Sequence, residues 1–288
     1  EADLARRDLL DSSRAVSPLA VADDAVLIDT TGRTVDDIVG EVLSLLKTDE
    51  EPAATAHPGP AMVQDRRGVW RPEERSAAFD RAFYGLCRAL VEGVARTYWR
   101  LSIDGRDRLP SNGAYIVAPV HRSNIDTPLV GCITTRRLRF MGKDSLWKNR
   151  ASARFFSALG GFPVHRGTVD REALRRCIEV IESGEPLVLF PEGTRQSGPI
   201  VHQLFEGAAY VALRTGVPIV PVGIGGSERA MPKGAKTLRP ARIAMVIGDP
   251  ILPPPAGRGS RRAARELTAE LQKKLQEVFD LAQVHAGT

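Results

Sequence analysis

Strand-like and helical runs alternate from about residue 105 onward, and this order predicts an α/β fold with a mostly parallel sheet flanked by helices. Short apolar runs predict strands over 115–118, 138–141, 187–190, 219–224 and 243–247. Apolar residues at helical spacing predict helices over 127–133, 151–159, 170–182, 205–214 and 261–281, the last of them charged and expected to be a solvated packing element. Three helices are followed by a glycine, the residue that most readily takes the left-handed conformation ending a helix: Gly160, Gly184 and Gly216.

An amphipathic helix is predicted in front of this sheet, over residues 71–100. Pro72 precedes it, acidic residues occupy its first turn and arginines its last, as the helix dipole favours. Its apolar residues recur every three or four positions and form one stripe: Phe79, Phe83, Leu86, Leu90 and Val94. Such a stripe can lie in the surface of a membrane or cover the sheet of its own domain, and periodicity alone does not distinguish the two.

The first 70 residues are organised differently. Residues 48–70 combine an acidic run, alanines and several prolines without periodicity, which predicts a disordered linker. Residues 1–47 resemble the tail of a cytidylate kinase, in which the residues matching three polar positions help to bind the nucleoside monophosphate: Arg7, Asp11 and Arg14. The phosphate-binding pattern G-x-x-x-x-G-K-[ST] is absent from the sequence, so we expect a fusion remnant without kinase activity. Because the sequence starts with Glu1 rather than methionine, we expect residues upstream of it.

The composition limits the class of protein. Apolar residues make up 43% of the chain, and the net charge of +5 with a pI near 9.3 suits anionic substrates or an anionic membrane surface. A nucleic-acid partner is not expected, because aromatic residues are only 6% and no basic stripe is interleaved with them. The three cysteines are widely spaced, which predicts buried thiols in a reducing compartment and no metal site. No apolar run reaches the ~18 residues that cross a membrane.

Two loops that follow predicted strands contain candidate catalytic and binding residues. His121 and Asp126 follow the strand over 115–118, and a carboxylate within reach of an imidazole fixes its tautomer and lets it act as a general base. The run Phe190-Pro191-Glu192-Gly193-Thr194-Arg195 overlaps and follows the strand over 187–190. Loops at the carboxyl ends of strands are where open α/β sheets carry their chemistry.

These motifs resemble those of the glycerolipid acyltransferases typified by 1-acylglycerol-3-phosphate (lysophosphatidic acid) acyltransferase. Four blocks match in order: His121 to Asp126, Gly161 to Arg166, Phe190 to Arg195, and Val217 to Val222. Val120 stands where the family often has asparagine. The resemblance covers about residues 105–250 and implies an acyltransferase domain over 71–288 that includes the amphipathic helix.

The resemblance also implies a role for each motif residue. His121 would be the general base and Asp126 its orienting partner. Arg195 and Arg166 would hold the phosphate of the acceptor, because guanidinium binds phosphate bidentately.

From the residues themselves we expect Glu192 to organise the loop through backbone donors, Gly193 to let the backbone approach the substrate, and Thr194 to cap the turn without a catalytic role. Lys143 stands where the family often has lysine and would assist phosphate or CoA binding, and an exposed lysine without such a role stays open.

The predicted reaction is transfer of an acyl chain from acyl-CoA, a co-substrate rather than a cofactor, to the free hydroxyl of 1-acylglycerol-3-phosphate, which gives phosphatidic acid. Another lysophospholipid, glycerol-3-phosphate and a phosphoinositide glycolipid stay open as acceptors, and so does a non-catalytic lipid-binding unit fused to a nucleotide kinase. A serine hydrolase is disfavoured, because neither Ser123 nor Ser227 lies in a G-x-S-x-G turn. The expected location is cytoplasmic, peripheral on the inner face of the cell membrane, with an anionic lipid surface as a partner.

Overall fold

The computed structural model describes residue 34 and residues 62–64, 70–72, 77–164, 171–254 and 261–288. The chain divides into two units, Glu1–Pro58 and Gly59–Thr288, and everything below concerns the second. The kinase-like segment, residue 34 apart, and Arg166 therefore lie outside the described residues, so the predictions made for them stay predictions.

A short antiparallel pair opens the second unit. Strand β1 (Met62–Gln64) pairs with β2 (Trp70–Pro72), with Val63 opposite Arg71. The sequence predicts a disordered linker over 48–70, but β1 and the first residue of β2 lie in the last part of that range, so the prediction is wrong there. A three-residue strand is too short to produce a recognisable alternation, which is why the pattern does not reveal it.

The main sheet has seven strands in the described part of the chain. They are β3 (Ser102–Asp104), β4 (Ile116–Pro119), β5 (Arg139–Lys143), β6 (Gly161–Val164), β7 (Leu187–Val188), β8 (Ile219–Gly225) and β9 (Ala244–Ile247). Their order across the sheet is β3-β9-β8-β4-β7-β5-β6. All neighbours pair in parallel except β8 and β9, which confirms the predicted mostly parallel α/β sheet.

The two strands that the sequence patterns do not predict lie at the two ends of this sheet. Strand β3 is only three residues long. Strand β6 contains Gly161 and Pro163, which weaken a strand pattern but are tolerated at a sheet edge, where only one side of the strand is paired. The central strands β4 and β8 are buried along their whole length, as their continuous apolar runs predict.

The helices lie close to the predicted ranges, with two differences: the short helix Ser227–Ala230 is not predicted, and residues 71–72, predicted to open the first helix, belong to β2. They are α1 (Ala77–Tyr98), α2 (Asp126–Val130), α3 (Arg150–Ala158), α4 (Arg171–Glu182), α5 (Gly207–Thr215), α6 (Ser227–Ala230) and α7 (Arg261–Ala286), with single turns of 3₁₀ helix at Arg106–Arg108 and Asp144–Trp147. Gly160, Gly184 and Gly216 all have positive φ angles after helices, so the prediction from their spacing is confirmed.

Helix α7 packs tightly on strand β8 rather than lying in solvent. One of its faces is buried through Leu271, Leu275 and Phe279. A Cβ atom added at Gly223 or Gly225 of β8 would lie 2.1 Å from a carbonyl oxygen of α7. The expectation of a solvated helix is therefore wrong for this face, because the two glycines allow the helix backbone to touch the strand.

Helix α1 turns its apolar stripe away from the domain. Its buried face includes Tyr84 and Ala95, and Trp99 directly after the helix is buried as well. In the stripe, Phe79, Leu86 and Leu90 are 59%, 69% and 67% exposed. The structure thus decides against the interpretation in which the stripe covers the domain's own sheet.

The aromatic end of this stripe continues onto helix α3. Phe79 and Phe83 stack with ring centroids 6.4 Å apart, and Phe83 meets the edge of Phe155 at 6.1 Å. Phe155 is itself about half exposed. Together these side chains form an apolar surface on α1 and α3, although no helix in the described part of the chain is long and apolar enough to cross a membrane.

The contact between β8 and α7 makes a direct prediction about stability. We expect Gly225→Ala to lower the free energy of unfolding by about 3 kcal/mol, because the new Cβ would overlap the carbonyl of Ala282. Gly93→Ala is the matched control. Gly93 lies on exposed helix surface with nothing within 4 Å, so this change should raise the free energy of unfolding by up to ~1 kcal/mol. Urea denaturation measures both, and a Gly225→Ala protein as stable as the wild type would contradict the packing.

Candidate active site

Two loops meet at the carboxyl edge of the parallel strands. β4 delivers His121, and its neighbour β7 delivers the loop that contains Glu192; Val117 and Val188 are partners in the sheet register. The backbone N–H of Gln196 donates to the His121 carbonyl at 2.8 Å, which joins the two loops directly. The parallel register of adjacent strands therefore brings together residues that lie 71 positions apart.

His121 and Asp126 form the predicted pair. Nδ1 of His121 lies 3.1 Å from Oδ2 of Asp126, whose side chain is fully buried. The same oxygen accepts backbone N–H bonds from Arg122 and Ser123, each at 2.6 Å. Because an ionised carboxylate only accepts, it favours the tautomer with the proton on Nδ1 and leaves Nε2 as an acceptor. The imidazole is thus held in the orientation that a general base needs.

The His121 ring is held on its other side by Phe190. Their ring centroids are 4.2 Å apart with the planes tilted by 30°. Only 17% of the His121 side chain is exposed. Packing of this kind restricts the rotation of the imidazole.

The Glu192 carboxylate forms contacts with both loops. Its Oε2 accepts the backbone N–H of His121 at 3.1 Å, and its Oε1 accepts that of His202 at 3.1 Å. Its Oε2 also forms a 2.7 Å ion pair with Arg122. The Glu192 carboxylate thus contacts the backbone donors of both loops, and the prediction that it organises the loop rather than acting as a second base stays a prediction.

Arg122 is the site residue that sequence reasoning missed. Its guanidinium is 1% exposed, pairs with Glu192, and donates to the carbonyls of Gly198 and Ile200 at 3.1 and 2.9 Å. It also lies 4.8 Å from the centre of the Phe279 ring of α7. The signal that could have found it is Glu192 itself, because a carboxylate placed directly after a buried strand needs a cation close by.

The remaining residues of the second loop are more exposed. Gly193 has φ +69°, a left-handed conformation that favours glycine. The Thr194 hydroxyl accepts from the side chain of Gln196 at 3.2 Å and is not capping a turn. Arg195 is partly exposed and has no hydrogen bond or ion pair with any residue that the structure describes.

Lys143 lies at the same edge of the sheet but not in contact with the pair. It ends β5, which is separated from β4 by β7, so about 10 Å separates the two strands. Its side chain is exposed and, within the described ranges, has no ionic partner. Arg195 and Lys143 are therefore two cations on the carboxyl edge that carries His121, and neither is paired with a residue that the structure describes.

Other chemistries find little support in the geometry of the site. Ser123 and Ser227 are fully buried, and the Ser123 hydroxyl donates to the Met231 carbonyl at 2.7 Å, so neither is an accessible nucleophile. Among the described residues, no group of three or more His, Cys, Asp or Glu side chains could hold a metal ion.

The fold and the two motif loops resemble those of acyltransferases. Residues 100–225 match the family model described as Acyltransferase. Residues 1–48 match a second family model, described as Cytidylate kinase.

Individual proteins agree with these matches. The 1-acyl-sn-glycerol-3-phosphate acyltransferase of Bacillus subtilis is 23% identical over 169 residues, which are 58% of this chain and 82% of that protein. The chloroplastic enzyme of the same name from Arabidopsis thaliana is 28% identical over 190 residues, 64% of this chain, and the match spans only 50% of its own length. The crystal structure of the 1-acyl-sn-glycerophosphate acyltransferase of Thermotoga maritima superimposes with a TM-score of 0.57 and 27% identity, over 71% of this chain and 83% of that chain.

The amino-terminal segment has relatives of a different kind. The cytidylate kinase of Rhodococcus opacus is 60% identical over 42 residues, which are 15% of this chain and 18% of that enzyme. The likeness is therefore strong but confined to a small part of a kinase.

The Arg122–Glu192 pair makes a testable prediction. Glu192→Gln keeps the shape of the side chain but leaves a buried guanidinium without a counter-charge, so we expect the free energy of unfolding to fall by about 3 kcal/mol. Glu266→Gln, which removes an exposed ion pair on α7, should change it by less than ~0.5 kcal/mol. The double variant Arg122→Met with Glu192→Leu should recover part of the loss. Thermal and urea unfolding test all three, and an unaltered Glu192→Gln protein would show that the pair does not support the loops.

Proposed function

We propose that this domain transfers an acyl chain from acyl-CoA to the free hydroxyl of 1-acylglycerol-3-phosphate and so forms phosphatidic acid. The observation that carries the proposal is the His121–Asp126 pair at the carboxyl edge of the sheet, on the same loop system as Arg195, which has no ionic partner among the described residues. The names of the Bacillus, Arabidopsis and Thermotoga relatives support the same acceptor.

In the proposed reaction His121 is the general base. Nε2 accepts the proton of the acceptor hydroxyl while the hydroxyl oxygen attacks the thioester carbonyl carbon. Asp126, which accepts from Nδ1, stabilises the imidazolium that results. The carbon–sulfur bond then breaks, and the imidazolium returns the proton to the leaving thiolate of CoA. The imidazole is thereby regenerated without a covalent acyl-enzyme, in keeping with the burial of Ser123 and Ser227.

Arg195 is proposed to bind the phosphate of the acceptor. A guanidinium with no internal partner is free to form two parallel hydrogen bonds with a phosphate, and such charge-assisted bonds are the strong ones. Lys143, exposed at the end of β5, would add a second positive charge to the phosphate or to CoA. Arg166, which follows β6, is proposed for the same phosphate on the strength of its motif alone.

The proposal includes a peripheral location on the cytoplasmic face of the cell membrane. Acceptor and product are both lipids, so the domain must reach a lipid surface. The exposed Phe79, Leu86 and Leu90 of α1 support this, since an apolar helix face in water is costly unless it meets an apolar partner.

The first test is the catalytic pair. His121→Ala should lower turnover by roughly 10²- to 10⁴-fold, and Asp126→Ala by a comparable factor, because the two side chains act as one unit. The double variant should be no slower than the slower single variant. Release of CoA thiol is measured with lysophosphatidate, with a panel of other acceptors and with none, and circular dichroism checks the fold. Thiol release by the wild type without an acceptor would indicate a hydrolase, and none with any acceptor would indicate a non-catalytic lipid-binding unit.

The second test is Arg195→Ala. We expect the apparent KM for lysophosphatidate to rise by roughly 10- to 100-fold, because a charge-assisted contact with phosphate is lost. The KM for acyl-CoA should stay within about twofold, as should turnover with a monoacylglycerol, which has no phosphate. Arg214→Ala, which changes an exposed arginine on α5, is the matched control. The opposite result, with acceptor KM unchanged and acyl-CoA KM raised, would assign Arg195 to the donor.

A further inference from the structure

The segment between α6 and β9, residues 231–242, forms a basic loop beside the candidate active site. It contains four cations and no acidic residue: Lys233, Lys236, Arg239 and Arg242. All four are exposed, and none has an ionic partner among the residues that the structure describes. Leu238, in the middle of the loop, is about half exposed. Four unpaired cations around an exposed leucine leave this loop without an evident role inside the domain.

Each end of the basic loop accepts a hydrogen bond from another part of the domain. At the first end, the Met231 carbonyl accepts the hydroxyl of Ser123, which lies between His121 and Asp126. At the other end, the Arg239 carbonyl accepts the indole N–H of Trp99 at 3.1 Å, directly after α1. The loop therefore connects the catalytic loop to the end of the amphipathic helix.

The apolar stripe of α1 runs toward this same point. Beyond Leu90 it continues through Val94 and Tyr98, which are both close to half exposed. The Tyr98 ring contacts that of Trp99 with centroids 5.5 Å apart. The basic loop is thus joined to the carboxyl end of a helix whose apolar stripe is about 30 Å long. An apolar helix face with cations close by is typical of a surface that lies on a bilayer.

We propose that the basic loop binds the phosphates of an anionic phospholipid bilayer and so completes the membrane surface that begins on α1. The inference rests on the proposed function, in which the acceptor is a lipid. Apolar residues of α1 would enter the acyl boundary while the loop cations meet the headgroup phosphates. Because Met231 holds Ser123, the bilayer contact adjoins the loop where the lysophospholipid must be bound.

A competing occupant is the phosphate-rich end of CoA. Arg239 lines a cleft of about 410 Å³ together with Arg122 and Arg229. However, Arg122 is already paired, and the Glu228 carboxylate lines the same cleft, where it would repel a phosphate. The other three cations of the loop are not part of the cleft lining. Their outward position favours a broad anionic surface over a single small ligand.

The experiment compares two triple variants with equal loss of charge. The test variant neutralises the loop: Lys233→Gln, Lys236→Gln and Arg242→Gln. The control neutralises exposed cations on α5 and α7: Arg214→Gln, Arg261→Gln and Lys273→Gln. Binding to vesicles of phosphatidylcholine, with and without phosphatidylglycerol, is measured by co-sedimentation at low and high salt.

We expect the loop variant to bind the anionic vesicles roughly 10- to 100-fold more weakly than the wild type, because each cation near an anionic surface contributes severalfold. Its weak binding to pure phosphatidylcholine should be unchanged, and the control variant should bind as the wild type does. Leu86→Ser with Leu90→Ser should instead weaken binding to both kinds of vesicle, because it removes apolar contact.

Three results would overturn the proposal. The first is that the loop variant binds anionic vesicles as well as the wild type does. The second is that the control variant loses as much vesicle binding as the loop variant. The third is that the KM for acyl-CoA rises while vesicle binding is intact, which would assign the loop to CoA. Thiol release with a short-chain, water-soluble lysophosphatidate is measured in parallel and should be unchanged in the loop variant. Failure of the proposed reaction would appear as no thiol release by the wild type, whatever the vesicle binding.

Discussion

The buried ion pair between Arg122 and Glu192 is the interaction on which the site depends. It joins the loop after β4 to the loop after β7, and its two side chains also bind backbone groups of His121, Gly198, Ile200 and His202. A buried pair of this kind is stable only when its remaining hydrogen-bonding groups are satisfied, and here the loops themselves satisfy them. The loops therefore stabilise the ion pair, and the ion pair in turn fixes the positions of the loops. As a result, His121 is held in a defined orientation.

The sheet and its helices supply the rigid frame around this contact. Glycines in β8 let α7 press against the strand backbone, and Phe279 of α7 in turn packs on the guanidinium of Arg122. Tyr84 and Ala95 of α1 and Trp99 directly after it are buried, so the apolar stripe of α1 is left outside. The same packing thus holds His121 in place and leaves an apolar surface on α1 exposed.

Much of the fold could be predicted because its signals are local. Continuous apolar runs mark β4 and β8, and glycines at 160, 184 and 216 mark helix ends, since both depend on a few neighbouring residues. The edge strands β3 and β6 could not be predicted in this way, because β3 has only three residues and β6 contains a glycine and a proline. The three-residue strands β1 and β2, at the end of the predicted linker, are likewise too short to show an alternation.

For the site, the sequence alone determined the chemistry: an imidazole with a carboxylate five residues away, and an arginine in a loop after a strand. The tertiary structure decided which atoms meet. It paired Glu192 with Arg122, left Arg195 without an internal partner in the described part of the chain, and kept Lys143 two strands away from His121. It also decided which way the stripe of α1 faces. The physical reason is that periodicity and motif spacing are properties of neighbouring residues, whereas the partner of a buried charge or an apolar face is chosen by the whole packed fold.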